Sequence, residues 1–337
     1  MHERVLSIER RPLLAAMLTL AMGAAWVAPA NAGEATEKLP LAEARAWLLR
    51  IHNAASQRNY QGTLVTSVGG QISSSRVAHY ADGTQSYERV EMLDGQARQV
   101  LRHNDRVVTL WPTSKLAQVE QRDVVALFPA VLTGSDDQLF ERYEMRAEGS
   151  ARLAGLDATV FLLKPRDAWR FAQRLWAAQD SGLLLRADVL AADGRIIESS
   201  AFTDVTIGVK AQPDSVLLPM KRLDGYKVAH AALQRTALEA EGWRLQAPVP
   251  GFRQLSCVKR SFDASPADVL QTIFSDGLTH VSVFVEPLQP ERQRAGHAAL
   301  GATHTLTMPL GTAWITVMGD VPLVTLKQFI TALERTK

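Results

Sequence analysis

From Gln61 onward the chain repeats one pattern, in which short segments alternate apolar and polar residues and are separated by two-residue turn signals. Strict alternation predicts strands that bury one face. The separators are dipeptides typical of tight hairpins: Gly69-Gly70, Asp82-Gly83, Asp94-Gly95 and Asn104-Asp105. Because such short turns join consecutive segments, each strand is expected to pair antiparallel with the next. The pattern resumes from Tyr143 to Val205, so the chain predicts one large sheet that curls.

Helices are expected to be few. Before the strands, Leu41, Ala44, Trp47, Leu48 and Ile51 recur at helical spacing and form one apolar stripe. Two shorter helical regions are predicted at 123–127 and 137–143. The adjacent acids Asp136 and Asp137 suit the start of the second, where negative charge is favourable.

The strand pattern breaks between Val209 and Ala240, where Pro213, Pro219 and Gly225 interrupt it. A smaller α+β part follows, with strands around a Pro-Gly turn. A helix is predicted from Ser265 as N-cap and Pro266 in the first turn, and a closing helix has an apolar face with Leu326, Phe329, Ile330 and Leu333. The predicted organisation is a leader at 1–32, an N-terminal domain at 33–210, a linker at 211–240 and a C-terminal domain at 241–337.

The first 32 residues have the composition of a secretory signal peptide. Arg4, Arg10 and Arg11 precede the apolar run Leu13–Val27, and Ala30-Asn31-Ala32 has the small residues that a signal peptidase reads. The alternative is a membrane anchor, but the run is shorter than the roughly 20 apolar residues that a span needs. The mature chain is therefore expected in the periplasm, without a transmembrane span.

The sequence has no H-E-x-x-H, G-x-S-x-G, Walker or G-x-G-x-x-G motif, and its histidines lack the i, i+4 spacing of a helical metal site. Ser256 and Lys259 match S-x-x-K, but their flanks alternate as a strand, which would point them to opposite sides. Cys257 is the single cysteine, so an internal disulfide is excluded and a packing role is expected. A formal net charge of +2 is too small for a nucleic-acid-binding chain. No enzyme activity and no cofactor are expected.

An apolar concave sheet face can hold acyl chains, because such ligands need buried area more than catalytic groups. The same positions could equally form an ordinary core under covering helices. The candidate lipid-facing residues are Leu64, Val77, Val90, Met92, Val108, Trp111, Trp169 and Trp176.

Both parts of the chain resemble the RseB/MucB family, the periplasmic regulators of the envelope-stress sigma factor. In the first part the resemblance is carried by "NYQGTLV", "SSRVAHYADGTQSYERVEMLDGQARQVLR", "KPRDAWRFAQRLW" and "GLLLRADVLAADGRIIESSAFTDV". In the second part it is carried by "PGFR", "DGLTHVSVFVEP", "GATHTLTMPLGTAWITVMGDVP" and "TLKQFITALE". The segment at 211–240 is the least similar.

The resemblance implies a first domain like the lipoprotein carrier LolA, a half-closed antiparallel barrel with helices in its mouth. It implies binding to the periplasmic domain of a membrane anti-sigma factor, which shields that factor from the site-one protease. Lipopolysaccharide or the acyl chains of mislocalised lipoprotein would release the complex. Three points stay open: a pure lipid carrier of the LolA type, a hydrolase built on Ser256, and homo-oligomerisation.

The leader gives a first prediction. The exported protein should begin at Gly33, because signal peptidase cleaves after small residues at this spacing. Intact-mass spectrometry of the periplasmic fraction checks this, and a membrane-bound chain that retains Met1 would contradict it.

Overall fold

The alternating segments form strands almost throughout. The computed structural model describes residues 37–121, 138–262, 268–291 and 293–336. The helices are α1 (Leu41–Gln57), α2 (Leu139–Arg142), α3 (Asp214–Lys221) and α4 (Leu323–Ala332). The strands are β1 (Glu37–Lys38), β2 (Tyr60–Val68), β3 (Gln71–Ala81), β4 (Ser86–Met92), β5 (Gln99–His103), β6 (Arg106–Trp111), β7 (Leu116–Gln121), β8 (Tyr143–Leu153), β9 (Leu156–Pro165), β10 (Ala172–Ala178), β11 (Leu184–Leu190), β12 (Ile196–Ile207), β13 (Lys227–Arg235), β14 (Trp243–Leu245), β15 (Arg253–Phe262), β16 (Val269–Ser275), β17 (His280–Pro287), β18 (Gly296–Leu300), β19 (Thr303–Leu310), β20 (Ala313–Gly319) and β21 (Leu333–Arg335).

The first sheet consists of two antiparallel meanders that meet at β2. One runs from β2 to β7 and the other from β8 to β12, and β1 pairs with β8 at the outer edge. The meanders are joined by β12 and β2, with Phe202 opposite Leu64. Gly62 is required at this seam, because a Cβ there would lie 2.2 Å from the carbonyl oxygen of Asp204. The predicted curled antiparallel sheet is confirmed.

Helices cover opposite faces of this sheet. The stripe of α1 buries Ala44, Leu48 and Ile51 in a cluster with Tyr143 and Phe161, whereas Leu41 at its start is 50% exposed. On the other face, Val216 and Met220 of α3 pack in a cluster with Leu101 and Val108. Tyrosine and leucine side chains at every second strand position supply the apolar surface for each helix.

The second sheet follows the order β13, β15, β16, β17, β20, β19 and β18, and all its internal pairings are antiparallel. The predicted closing helix is confirmed as α4, which buries Leu326, Phe329 and Ile330 against one face of this sheet. Cys257 is 5% exposed in the same cluster. The single cysteine therefore packs in the core, as predicted.

One strand belongs to both sheets. The first residues of β13 pair parallel with β7, with Lys227 opposite Leu116, and its last residues pair antiparallel with β15, with Arg235 opposite Val258. The two sheets thereby form one continuous sheet of 19 strands. The predicted linker at 211–240 contains both α3 and β13, so it is more ordered than its prolines and glycine indicate. The predicted domain boundaries stay a prediction.

The helix predicted from Ser265 is wrong over the described residues, because Val269–Ser275 is strand β16. This strand lies between β15 and β17 and is buried at nearly every position. Its apolar residues Val269, Leu270, Ile273 and Phe274 fall at i, i+1, i+4 and i+5, a spacing that favours one face of a helix. The predicted N-cap at Ser265 and Pro266 lies outside the described residues, as do the leader, the 123–127 helix, and Asp136 and Asp137.

Of the predicted 137–143 helix, the described part forms α2 at Leu139–Arg142. Among the described helices, none combines the length and hydropathy needed to cross a bilayer.

The packing of α4 gives a second prediction. Phe329 is 1% exposed, and its ring lies 5.5 Å from Phe252 and 5.0 Å from Phe274 between centroids. Phe329→Ala should lower the free energy of unfolding by about 3–5 kcal/mol, because it removes buried area and leaves a cavity. Urea titration followed by tryptophan fluorescence measures this. The control Val324→Ala, in the same helix but 45% exposed, should change it by less than about 0.5 kcal/mol. Equal effects would contradict this account.

Candidate binding cavity

The second sheet presents two different faces. Cross-strand partners lie on the same face of a sheet, so the register defines one row of Val258, Gln271 and Phe284 and another of Ser256, Ile273, Ser282 and Met318. The intervening residues, such as Val283 and Val317, face the core under α4. The rows named first therefore lie on the face away from α4.

The first sheet turns one face toward these rows. Val77 is opposite Val90, and Val90 is opposite Val100. Arg102 follows two residues after Val100 and is opposite both Glu88 and Val107. These residues share the face on which Leu64 and Val77 are buried, and α3 covers the other face.

The two faces enclose a cavity of about 420 Å³, within the range of small-molecule sites. Its lining residues are Glu88, Val90, Val100, Arg102, Val107, Gln121, Leu233, Ser256, Val258, Arg260, Gln271, Ile273, His280, Ser282, Phe284 and Met318. Half of these sixteen residues are apolar, namely Val90, Val100, Val107, Leu233, Val258, Ile273, Phe284 and Met318. Such a site can bury an aliphatic or aromatic group of a ligand.

Charged groups on the wall are held in ion pairs. Arg260 Nη1 lies 3.5 Å from Glu120 Oε2, which joins β15 to β7 across the shared strand. Arg102 Nη1 lies 3.8 Å from Glu88 Oε2. Pairing is expected, because an isolated charge in a desolvated wall is costly. The apolar wall is therefore bordered by neutralised charges.

Two buried polar atoms of the wall lack a hydrogen-bond partner within the described residues, namely Gln271 Oε1 and Arg260 Nε. Gln271 is 7% exposed. Buried polar groups are nearly always hydrogen-bonded, and leaving one unpaired costs about 1–3 kcal/mol. A ligand that offered a donor to Gln271 and an acceptor to Arg260 would recover that free energy.

A buried ion pair fixes the second sheet against the first. Arg170, in the loop between β9 and β10, contacts Asp276 in the β16–β17 turn, with Nε and Oδ2 2.5 Å apart and both side chains fully buried. Arg170 Nη2 donates to the Pro250 carbonyl at 2.7 Å, and Nη1 pairs with Asp167. The guanidinium also lies over the Phe252 ring, 5.0 Å from its centroid. The guanidinium of Arg170 therefore contacts two carboxylates, a backbone carbonyl and an aromatic ring.

Asp276 is equally well satisfied. Its Oδ1 accepts from the backbone N–H groups of Leu278 and Thr279 at 3.0 and 2.9 Å, and its Oδ2 accepts from Tyr143 Oη at 3.0 Å. Burial, and then the negative charge of Asp276, raises the pKa of Tyr143 well above its ordinary value. The tyrosine therefore stays protonated and continues to donate.

The predicted lipid-facing residues fall into different environments. Leu64 and Val77 are buried in one cluster, against which Val90 and Trp176 pack, and Met92 shares their face through its partner Ser75. Of the eight, Val90 also lines the cavity.

The other three residues are held elsewhere. Val108 is buried in the cluster that contains α3, on the opposite face. Trp111 and Trp169 are half-buried, and the Trp169 carbonyl accepts from Thr325 Oγ1 at 2.7 Å. Lipid contact at any of the eight stays a prediction.

The S-x-x-K pair does not converge. Ser256 and Lys259 lie on opposite faces of β15, as predicted: Ser256 lines the cavity, whereas Lys259 Nζ lies 2.7 Å from Glu241. Between them, burial raises the pKa of the Cys257 thiol, so the reactive thiolate is disfavoured. This segment therefore has structural roles and two wall positions in the cavity, Ser256 and Val258.

Sequence reasoning missed Arg170, Asp276 and Gln271. The signal for the first was present, since Arg170 sits among aromatic residues in "RDAWRF", but its partner lies 106 residues further along the chain. Gln271 lies in the run predicted as a helix, so its position on a cavity wall could not be seen.

The fold and the cavity define a class: a mainly β binding protein in which two joined sheets enclose one site. Residues 43–220 match the MucB/RseB N-terminal domain, and residues 237–334 match the MucB/RseB C-terminal domain. The chain belongs to the MucB/RseB family.

Relatives with known names support this assignment. The chain is 29% identical over 296 residues to the sigma factor AlgU regulatory protein MucB of Pseudomonas aeruginosa, covering 84% of this chain and 88% of that protein. It is 23% identical over 295 residues to the sigma-E factor regulatory protein RseB of Escherichia coli K12, covering 83% and 87%.

Two solved structures are similar over nearly the whole described chain. The structure of MucB in complex with MucA(peri) has a TM-score of 0.66 and 25% identity, and covers 87% of this chain and 98% of that one. The MucA/MucB complex of Pseudomonas aeruginosa has a TM-score of 0.67 and 26% identity, and covers 88% and 99%.

The buried ion pair gives a third prediction. Arg170→Met should lower the free energy of unfolding by about 3–5 kcal/mol, because it leaves Asp276 as an uncompensated buried charge. Chemical denaturation of the mature protein measures this. The control Arg195→Met removes a side chain that is 74% exposed and paired with Asp193, and should cost less than about 1 kcal/mol. A loss at Arg170 no larger than at Arg195 would contradict the assigned role.

Proposed function

We propose that this protein is a periplasmic negative regulator of an envelope-stress sigma factor. It binds the periplasmic domain of a membrane anti-sigma factor and shields that domain from the site-one protease. Lipopolysaccharide or the acyl chains of mislocalised lipoprotein release it. The observation that carries the proposal is family membership over both parts of the chain, together with a similar fold that binds MucA(peri) in a relative.

The cavity supports a binding role without chemistry. Its apolar wall can bury a hydrophobic group, and Gln271 and Arg260 offer one acceptor and one donor at its edge. Those features give affinity through desolvation and specificity through a few polar contacts. A partner segment with an apolar side chain could use both the apolar wall and the two polar groups. An acyl chain could use the apolar wall alone.

A lipid can release the partner in two ways: it can change the arrangement of the two sheets, or it can occupy the cavity in the partner's place. A lipid that favours a different arrangement of the two sheets by about 1–3 kcal/mol would lower partner affinity by about 5–150-fold. The arrangement is restrained by β13 and by the Arg170–Asp276 pair. A releasing ligand must therefore act against these contacts or enter the cavity itself.

The test is a cleavage assay of the purified anti-sigma periplasmic domain by the site-one protease. The full mature protein should slow cleavage, and added lipopolysaccharide should restore it. Protection that lipopolysaccharide cannot relieve would disprove the release mechanism alone. Absence of both binding and protection would disprove the regulator.

The fourth prediction links the assay to the cavity. Phe284→Glu places a charge on the half-buried apolar wall and should weaken partner binding about tenfold or more, because the carboxylate loses water when the ligand enters. Isothermal titration calorimetry measures this. The control Leu255→Glu, at a position on β15 that is 53% exposed, should bind normally.

The same measurements distinguish the regulator from a lipid carrier of the LolA type. Such a carrier would bind lipoprotein acyl chains, and Phe284→Glu would weaken that binding. It would not protect the anti-sigma domain from cleavage. Equal binding by both variants would place the partner outside the cavity.

A further inference from the structure

A second contact between the sheets lies at the β18–β19 turn. Gly301 in this turn has φ +60°, and a Cβ there would lie 2.6 Å from Val68 Cγ1 and 3.2 Å from Glu198 Oε2. Leu300 Cδ1 reaches within 2.8 Å of the place where a Cβ on Gly69 would stand. The turn therefore fits directly against β2, β12 and the β2–β3 hairpin, and the fit requires glycine.

This contact closes the structure at the edge opposite β13. The second sheet leaves the first at β7 through β13, and β18 is its last strand. The turn after β18 returns to β2 and β12 of the first sheet. Met318 of β20 lines the cavity and is opposite Thr305 of β19. The turn contact therefore lies two strands beyond the cavity-lining strand β17, on the side of β20 and β19.

Two carboxyl groups, one from each sheet, accept hydrogen bonds from adjacent residues of this turn. Glu198 of β12 accepts weakly from the Ala302 backbone N–H at 3.4 Å. Asp320, directly after β20, accepts from Thr303 Oγ1 at 2.5 Å. Burial, and then the negative charge of Asp320, raises the pKa of Glu198. The two groups therefore repel when both are ionised.

Among the described residues, the influences on the pKa of Glu198 are burial, Asp320 and the Ala302 N–H, and no cation is one of them. Its strand neighbours are Val68 of β2 and Val189 of β11. In the β11–β12 turn, Arg195 is held by Asp193 at 2.8 Å.

The histidines of the β18–β19 hairpin interact elsewhere. His304 of β19 packs edge-on against Phe171 and His297. Burial, and then the positive charge of His297, lowers the pKa of His304.

We propose that Glu198, next to Asp320, forms a proton-dependent clasp, which holds the β18–β19 turn on the first sheet when Glu198 is protonated and loosens when Glu198 is ionised. The clasp makes the contact between the two sheets at this edge depend on pH. This proposal goes beyond the proposed regulatory function and does not depend on which ligand the cavity binds.

The sign follows from linkage. When the turn leaves β12, Glu198 regains water and moves away from Asp320, so its pKa falls toward the ordinary value. The docked state therefore binds the proton more tightly. Docking is strongest in acid, and its extra stability is lost as pH rises through the raised pKa of Glu198.

The experiment, and fifth prediction, is hydrogen exchange of the full mature protein from about pH 4.5 to about pH 7.5, read by mass spectrometry on peptides that span residues 300–303. Each rate is divided by the intrinsic rate at the same pH. Protection in the wild type should fall severalfold as pH rises. Glu198→Gln should keep high protection throughout, because the amide oxygen can still accept from Ala302 without a charge. Asp320→Asn should reduce the pH dependence in the same way.

Two further variants keep the test decisive. Gly301→Val wedges the contact open and should give low, pH-independent protection at 300–303, with the α4 core still protected. Glu291→Gln, an exposed carboxylate distant in sequence from the clasp, should behave as the wild type does. Wild-type protection that is constant with pH, or a pH dependence that persists in Glu198→Gln, would overturn the proposal.

Discussion

Arg170 and Asp276 carry opposite charges into a region from which water is excluded, with both side chains fully buried. Removing each ion from water costs several kcal/mol, and the pair recovers this only when geometry and hydrogen bonding are nearly ideal. Tyr143, Pro250 and the backbone of the β16–β17 turn supply those hydrogen bonds. The loop, the turn and both sheets must therefore reach their positions together.

The shared strand β13 supports the same arrangement by different means. Because its two ends pair with β7 and β15, rotation of one sheet against the other would break main-chain hydrogen bonds. The ion pair and β13 are thus strong restraints, whereas the β18–β19 turn rests on side-chain contacts and one long hydrogen bond. Motion that admits a ligand is expected at the weakest of the three contacts.

Local patterns predicted most of the strands, α1 and α4, because alternation and helical spacing are set by neighbouring residues. They failed at β16, where Val269, Leu270, Ile273 and Phe274 have the spacing of a helix but lie in a strand. The segment 211–240 contains α3 and β13, which Pro213 and Gly225 flank, and its role as a linker stays a prediction. Of the cavity wall, the sequence pointed only to Val90. Gln271 and Met318 come from the second sheet, and no local pattern shows that residues so far apart in the chain face the same cavity.

Joining two sheets through one strand also changes how the chain meets other chains. Two separate sheets would have four open edges, each a template for unwanted pairing with another molecule. In the continuous sheet the open edges are β1, which is two residues long, and β18, whose turn is tucked against β2 and β12. At high local concentration, β13 therefore acts as a safeguard against edge-to-edge aggregation, and a variant that detached it from β7 would expose two new edges at once.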